Sequence, residues 1–435
     1  MNPTAAAILA TLIAAPVLAA SPAAGQTPAA VDAAVTRHAP QITQLRRHIH
    51  QHPELGNRET ATAALVAEHL RSLGLEVRTG VAHTGVIGVL RGARPGPVIA
   101  VRADMDALPV TEATGLPFAS TARAVYEGRE VGVMHACGHD IHTAVGLGTA
   151  SVLADLRADL AGTVLFLFQP AEEGPPAGEE GGAELMLREG AFDDPAPAAI
   201  FALHSVPALE VGQLGITPGP AMAASDRWSA RIIGRQAHGA QPQASVDPVV
   251  MASQAVLALQ TIRSRNLSGL AGGVVTVGIM RGGERHNIIP GEVHLEGTVR
   301  TFDPEVQDLI ERRMREILDG ITKAGGGSFE LVYERGNPVL VNDPDLNARM
   351  SPTLARVVGA DRLLVLPPTT SAEDFAYFAQ QVPGLYFSLG TTKPGTTSGG
   401  LHTPTMTADD AAIPVGMRAM TALVLDYVSA AAKSR

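Results

Sequence analysis

Four apolar runs restrict the fold of this chain more than any other feature: Pro97 to Arg102, Thr163 to Phe168, Ala199 to Leu203 and Leu385 to Leu389. Thr163-Val164-Leu165-Phe166-Leu167-Phe168 shows no polar alternation, the pattern of a strand buried on both faces, as in a parallel sheet covered by helices. Each run leads to residues able to bind a metal: Asp104 and Asp106, Glu172-Glu173, His204, and, beyond a Gly/Thr-rich loop, His402. Ligand sites in open α/β sheets form in the crevice beyond the carboxyl ends of the strands, so these side chains are expected to converge. One polar residue after a strand means little, because loops are polar. Four such ends, one carrying paired carboxylates, carry the inference.

The stretch Met134-His135-Ala136-Cys137-Gly138-His139-Asp140-Ile141-His142 packs three histidines, an aspartate and the single cysteine of the chain into nine residues. A thiolate and neutral imidazoles suit a borderline-soft divalent ion such as zinc, and Gly138 lets the backbone bend so that Cys137 and His139 converge. An isolated Cys-x-His is more often a buried, inert thiol beside surface histidines. The strand ends elsewhere turn the balance toward half of a metal site. His48, His50 and His52 are read as structural or surface residues, since a helix turns His50 away from His48 and Pro53 ends the helix at His52.

With 435 residues the chain is long enough for two domains with cores of their own. Its formal net charge of −10, with no long Lys/Arg cluster, excludes nucleic acid as the main partner and points to a small-molecule substrate. Residues 1–25 carry no charged side chain, and an apolar run from Ala5 to Ala20 leads into small residues suited to signal-peptidase cleavage. A signal peptide and a periplasmic or secreted mature chain are expected, the alternative being an Ala/Pro tail. The run is too short to span a bilayer, so no stable membrane association is expected. A lone cysteine in an oxidising compartment has no intrachain disulfide partner, and a metal-bound thiolate suits that state.

Residues 41–73 read as two helices split at His52-Pro53-Glu54-Leu55-Gly56, the second from about Glu59. Gly85 to Leu90 reads as a strand, Thr143 to Leu160 as a helix, and Gly390 to Gly400 as a mobile loop. Between 221 and 335 the pattern changes to strand (Trp228 to Gly234), helix (Asp247 to Arg263), strands (Val274 to Met280 and Glu292 to Arg300), helix (Pro304 to Lys323) and strand (Phe329 to Glu334). This β-α-β-β-α-β order predicts a small ferredoxin-like α+β domain interrupting a larger α/β catalytic domain of residues 32–220 and 336–435.

The residues that carry a wider resemblance are Arg102-Ala103-Asp104-Met105-Asp106-Ala107-Leu108-Pro109, the His135 to His142 stretch, Phe168-Gln169-Pro170-Ala171-Glu172-Glu173, His238-Gly239-Ala240, Asn287-Ile288-Ile289-Pro290, Ser371-Ala372-Glu373-Asp374-Phe375 and His402-Thr403-Pro404. On these the sequence resembles the M20 metallopeptidase family, specifically its amidohydrolase branch of hippurate hydrolases, N-acyl-amino-acid amidohydrolases and plant auxin-conjugate hydrolases. The resemblance implies two divalent metal ions held by Cys137, His139, Glu173, His204 and His402, with Glu172 as general base. Zinc is favoured by the thiolate, and manganese, cobalt and nickel remain open.

It also implies that the inserted domain is a lid and a homodimerisation surface, with His238 and Asn287 reaching the substrate. Arg300 suits a substrate carboxylate and equally a surface strand position. Asp104 and Asp140 are assigned to hold the ligand imidazoles, although either could cap a helix or turn instead. His135 and His142 are left out of the ligand set. The expected activity is hydrolysis of the linear amide of an N-acyl or N-aroyl amino acid. The alternatives are a small-peptide carboxypeptidase or dipeptidase on the same site, and a metal- or ligand-binding relative without catalysis. Adjacent Glu172 and Glu173 speak against the last.

Overall fold

A computed structural model describes residues 28–433, so the expected signal segment at 1–25 lies outside the described residues. The main elements in chain order begin with α1 (Pro28–Gln51), α2 (Thr60–Ser72), β1 (Glu76–Val81), β2 (Gly85–Arg91) and β3 (Arg94–Asp104). Then come α3 (His139–Asp155), β4 (Ala161–Gln169), β5 (Ala199–Glu210) and β6 (Leu214–Ile216). A second group holds β7 (Ala224–Ile233), α4 (Pro248–Thr261), β8 (Gly273–Arg281), β9 (Glu292–Thr301), α5 (Pro304–Ala324) and β10 (Ser328–Arg335). The chain closes with α6 (Pro344–Val358), β11 (Leu363–Val365), β12 (Gly384–Thr392) and α7 (Ala412–Lys433).

The large sheet has the order β1-β2-β4-β3-β5-β12-β6-β11, and its centre, β4 to β12, is parallel. Both faces are covered. α1, α3 and α7 pack on one face around Val101, Phe166, Phe201 and Phe387, while Leu165, Leu167, Ile200 and Phe378 fill the other. That double burial is why these strands are apolar without alternation. α3 lies so close to its neighbours that a Cβ on Gly148 would meet Met417 Sδ at 2.6 Å.

Three helices start on the same dipeptide, Asp247-Pro248, Asp303-Pro304 and Asp343-Pro344. In each the aspartate accepts from a first-turn amide, and proline takes the position whose N–H has no helical partner. The second sheet runs β8-β9-β7-β10, antiparallel throughout, with α4 and α5 enclosing a separate core around Trp228, Leu295 and Met314. Numbered within the insert this order is 2-3-1-4, the ferredoxin-like arrangement. Among the described residues no helix is long and apolar enough to cross a membrane.

Near the site, three elements have bounds that differ from the sequence reading. α3 ends at Asp155 rather than Leu160, and it begins at His139 rather than Thr143 because Gly138, at φ 85°, turns the chain straight into the helix. A side chain at Gly138 would also collide with Ser205 Oγ at 2.2 Å. β5 continues past Leu203 to Glu210, so His204 sits inside a strand. β12 runs to Thr392 because Gly390 passes where a Cβ would lie 2.1 Å from Glu210 O, so the first residues assigned to a loop are strand.

Asp140 is corrected as well, and His50 takes the structural of its two expected roles. Asp140 touches none of the proposed ligand imidazoles and instead ties α1 to α3. Arg46 Nε donates to it at 2.7 Å, and His50 Nδ1 lies 2.8 Å from the same oxygen. Arg46 also reaches Asp410 at 3.1 Å, and His50 Nε2 lies 3.2 Å from Glu112, so His50 is a buried strut rather than a surface residue. Burial opposes the charge of Asp140, but Arg46 and His50 outweigh it and hold the carboxyl below its usual range. Burial also opposes protonation of His50, yet Asp140 leaves its pKa raised.

A depressed acid stabilises above its unfolded pKa and loses that contribution as pH falls; a raised histidine stabilises below its unfolded pKa and loses it as pH rises. This cluster therefore contributes most between about pH 4 and 6.5. Asp140→Asn is expected to cost about 3 kcal/mol at pH 6, since it leaves Arg46 buried and underpaired, with the difference shrinking below about pH 4. Urea unfolding of both chains at pH 3.5 and pH 6 checks this, and equal losses at the two values would contradict it.

Candidate metal centre

At the carboxyl ends of the central strands the structure brings together all five proposed ligands and Glu172. Cys137 and His139 stand at the start of α3, Glu172 and Glu173 follow β4, His204 projects from β5, and His402 lies on the loop after β12. Cys137 Sγ is 3.3 Å from His204 Nε2 and 3.3 Å from His402 Nε2. His402 Nε2 is 2.9 Å from Glu173 Oε1. His139 Nε2 faces Glu172 Oε2 at 3.8 Å and Glu173 Oε1 at 4.0 Å. Two triads result, Cys137–His139–His204 and Cys137–Glu173–His402, each with its ligand atoms within 4.8 Å of one another. The thiol belongs to both.

Hydrogen bonds set the tautomers. His204 Nδ1 donates to Ser205 O at 2.7 Å and His139 Nδ1 donates to Asp106 Oδ1 at 3.1 Å, which leaves Nε2 of each ring as the atom a cation would take. His139 Nε2 is buried with no hydrogen-bond partner, the condition of an atom that a cation would satisfy, so the donor set fits a metal. His142 shows the opposite condition. Its Nδ1 donates to Asp104 at 2.6 Å and its Nε2 accepts from the Ser205 amide at 2.7 Å, so it has no lone pair to offer. His135 is buried with both ring nitrogens unpartnered, and burial pushes its pKa down to about 4.

Asp106, which the sequence reading left without a role, performs the task assigned to Asp140. One oxygen orients His139, and the other accepts the Glu173 amide at 2.9 Å, coupling two proposed ligands through one carboxylate. Asp104 lies one step back, on His142 and on Arg102 Nη1 at 2.6 Å. The buried Arg102 also pairs with Glu373 at 2.8 Å and Asp374 at 3.1 Å, and Tyr386 donates its hydroxyl to Glu373. Arg102, Glu373 and Asp374 all sit within motifs quoted above. Their role was missed because the partners are some 270 positions apart, by the separation of Arg102 from Glu373.

Electrostatics asks for positive charge here. Burial, then Glu373, Glu173 and Asp374, push the Glu172 carboxyl well above the usual range. Burial raises the Cys137 thiol and lowers His204, the latter with help from His142 and His139. A cation among these groups favours the thiolate, the carboxylates and the neutral imidazole together.

A chamber of about 410 Å³ opens from this centre. Its polar end carries Cys137, Glu172, Glu173, His204 and His402, and its walls are largely apolar, including Val206, Leu209, Met222, Leu366 and Leu401. Among the described residues no Lys or Arg lines it. His238, Asn287 and Arg300 do not line it either, contrary to their proposed role. His238 is exposed on a short ladder with Ile288, and Asn287 gives its carbonyl to the Gly239 amide. Arg300 folds back on Thr298 and the Val299 carbonyl, because β9 turns it along the surface of the smaller sheet.

The model of peptidase family M20/M25/M40 matches residues 100–426. The chain is similar to an N-acetyl-L-cysteine deacetylase from Bacillus subtilis, 39% identical over 375 residues, 86% of this chain and 85% of the relative. It is 43% identical over 297 residues to an N-acyl-L-amino acid amidohydrolase from Geobacillus stearothermophilus, 68% of this chain and 76% of the relative. Its structure superposes with a TM-score of 0.77 on a dinuclear metal-binding peptidase from Bacillus subtilis. That protein is 34% identical, and the match covers 91% of this chain and 99% of the other.

Because the Cys137 thiol is held protonated until a cation displaces its proton, divalent-metal affinity is expected to rise about tenfold per pH unit between about pH 6 and 8. Competition titrations of the metal-free chain measure this. Affinity that is flat with pH would remove Cys137 from the ligand set.

Proposed function

The chain belongs to peptidase family M20/M25/M40, and on that footing we propose that it hydrolyses the amide bond of N-acyl or N-aroyl amino acids, releasing a carboxylic acid and a free amino acid. The observation that carries this reading is the pairing of a further, largely buried carboxylate, Glu172, with two metal-competent triads at the mouth of an apolar chamber. We assign Cys137, His139 and His204 to one divalent cation and Cys137, Glu173 and His402 to a second. Zinc or manganese is preferred, with cobalt and nickel as further candidates.

When bound, such ions lower the pKa of a water molecule and polarise the scissile carbonyl. In this assignment Glu172 accepts the proton of the attacking water and later hands it to the leaving amine. Asp106 keeps His139 and Glu173 in place throughout. The chamber suits a neutral, apolar acyl group, because its only formally charged side chains besides histidine and the thiol are glutamates, Glu172, Glu173 and Glu373. The substrate carboxylate is then left outside, and contact by His238, Asn287 and Arg300 is assigned to lid closure or to the lid of a second copy. The edge strand β8, with Val274 and Met280 exposed, supports homodimerisation through this lid. The uncharged run at 1–25 supports a periplasmic or secreted location.

The family name and the peptidase likeness favour a second reading, small-peptide hydrolysis on the same centre. A panel of hippurate, N-acetyl amino acids and dipeptides with added Zn²⁺, Mn²⁺ or Co²⁺ separates the two. Turnover of dipeptides alone would replace the first reading with the second, and no turnover of any would leave a binding protein.

Glu172→Ala is expected to keep its metal by elemental analysis and to lose about 10³-fold in kcat. Substantial residual turnover would refute the base assignment. Leu209→Trp, which fills the chamber, is expected to reduce kcat/KM about tenfold or more for benzoyl substrates while sparing acetyl ones. Equal losses on both would place the acyl group elsewhere.

A further inference from the structure

We infer that Glu59 is a positioning residue for the catalytic loop, holding Ala171 in a left-handed conformation from which Glu172 and Glu173 diverge to their separate tasks. The inference rests on the assignment of those two glutamates above and adds a residue from the far end of the chain to the same machinery.

Glu59 is completely buried at the point where α2 begins, a position from which an acidic side chain ordinarily caps its own helix. It does not do so. Glu54 accepts the first-turn amides of Ala61 and Thr62 at 3.0 and 2.8 Å, which leaves Glu59 free to turn inward. There Oε1 accepts the Ala171 amide at 2.8 Å, and Oε2 accepts the Thr84 hydroxyl at 2.5 Å. Both oxygens are spent on other segments.

Ala171 has φ 50°, a region that residues with a Cβ rarely enter, so something outside the residue must hold it there. Packing contributes: a Cβ on Gly56 would lie 3.1 Å, and one on Gly181 3.2 Å, from Ala171 Cβ. Within the loop the Gly174 amide donates to the Ala171 carbonyl at 3.3 Å, and the directed contact from outside the loop is the Glu59 hydrogen bond to the Ala171 amide. Two residues on, Asp106 accepts the Glu173 amide at 2.9 Å, so two buried carboxylates grip the loop by amides on either side of Glu172. Burial, reinforced by Asp106, pushes the Glu59 carboxyl up to about 7, and glutamine is accordingly a close mimic of its neutral form. The grip depends on acceptor geometry rather than on charge.

The test compares Glu59→Gln, Glu59→Ala, Ala171→Gly and the double variant Glu59→Ala/Ala171→Gly in the full-length, metal-loaded enzyme, on a substrate that the wild type turns over. Glu59→Ala is expected to lower kcat about 10²-fold with KM within about threefold, since a misplacement near 1 Å costs that much. Glu59→Gln is expected within about threefold of wild type. The double variant should recover part of the loss, because glycine enters the left-handed region freely.

Hydrogen exchange on the metal-free proteins gives a readout independent of turnover. Peptides covering 169–174 should lose protection in Glu59→Ala and keep it in Glu59→Gln, with other segments unchanged. If Glu59→Ala does not fold, Glu59→Asp, which retracts the acceptor by one methylene, is expected to show the same pattern. Equal damage by Gln and Ala, unchanged exchange at 169–174, or no recovery in the double variant would each overturn the inference. A wild type inactive on every amide would sink the proposed function while leaving the exchange result to decide the loop.

Discussion

Too much negative charge in too little water is the constraint on which this structure turns. Asp104, Asp106, Glu172, Glu173, Glu373 and Asp374 crowd the carboxyl ends of the sheet, and Arg102 is the buried guanidinium placed among them. Breaking such a buried pair costs several kcal/mol, because the charge left behind has no solvent to turn to. One arginine cannot neutralise six acids. The Glu172 carboxyl is consequently driven upward, and the shared Cys137 thiol is held protonated by burial. A pair of cations would relieve both conditions at once, so the arrangement that crowds these acids is one that favours metal.

The centre is built in layers. Strand ends deliver the side chains, and the backbone between them is then fixed by carboxylates that never face the substrate chamber: Glu59 on Ala171, Asp106 on Glu173, Asp104 on His142. His142 in turn accepts the amide of Ser205, the residue after His204. Orientation therefore passes from α2 and β3 into the ligand loops without relying on long, exposed side chains. Geometry of this kind survives in a crevice because both oxygens of Glu59, Asp106 and Asp104 have donors.

The smaller sheet has a core of its own and contributes nothing to the chamber wall in the single chain. The core beneath the proposed ligands is therefore packed independently of the smaller sheet. That division suits a family in which the relatives named for N-acetylcysteine and for N-acyl amino acids share one scaffold.

The amino-acid sequence by itself determined the layers and the candidate ligands that the fold brings together. Double-sided burial writes an uninterrupted apolar run, as in Thr163 to Phe168, and three of the five proposed ligands, Glu173, His204 and His402, follow such runs, while Cys137 and His139 come from a separate His/Cys-rich stretch. The βαββαβ order of 221–335 was legible for the same reason, since periodicity is a local property. What only the tertiary structure decided was which acid serves which base. Asp104, Asp106 and Asp140 are alike in type and lie within forty residues of the same histidines, yet one holds His142, one holds His139 and Glu173, and one anchors α1. Glu59 looks like a helix cap and is a loop anchor, while Arg300 looks like a ligand clamp and lies along a strand. Hydrogen bonds act over about 3 Å, and residues so far apart in sequence acquire such neighbours only when the sheet closes.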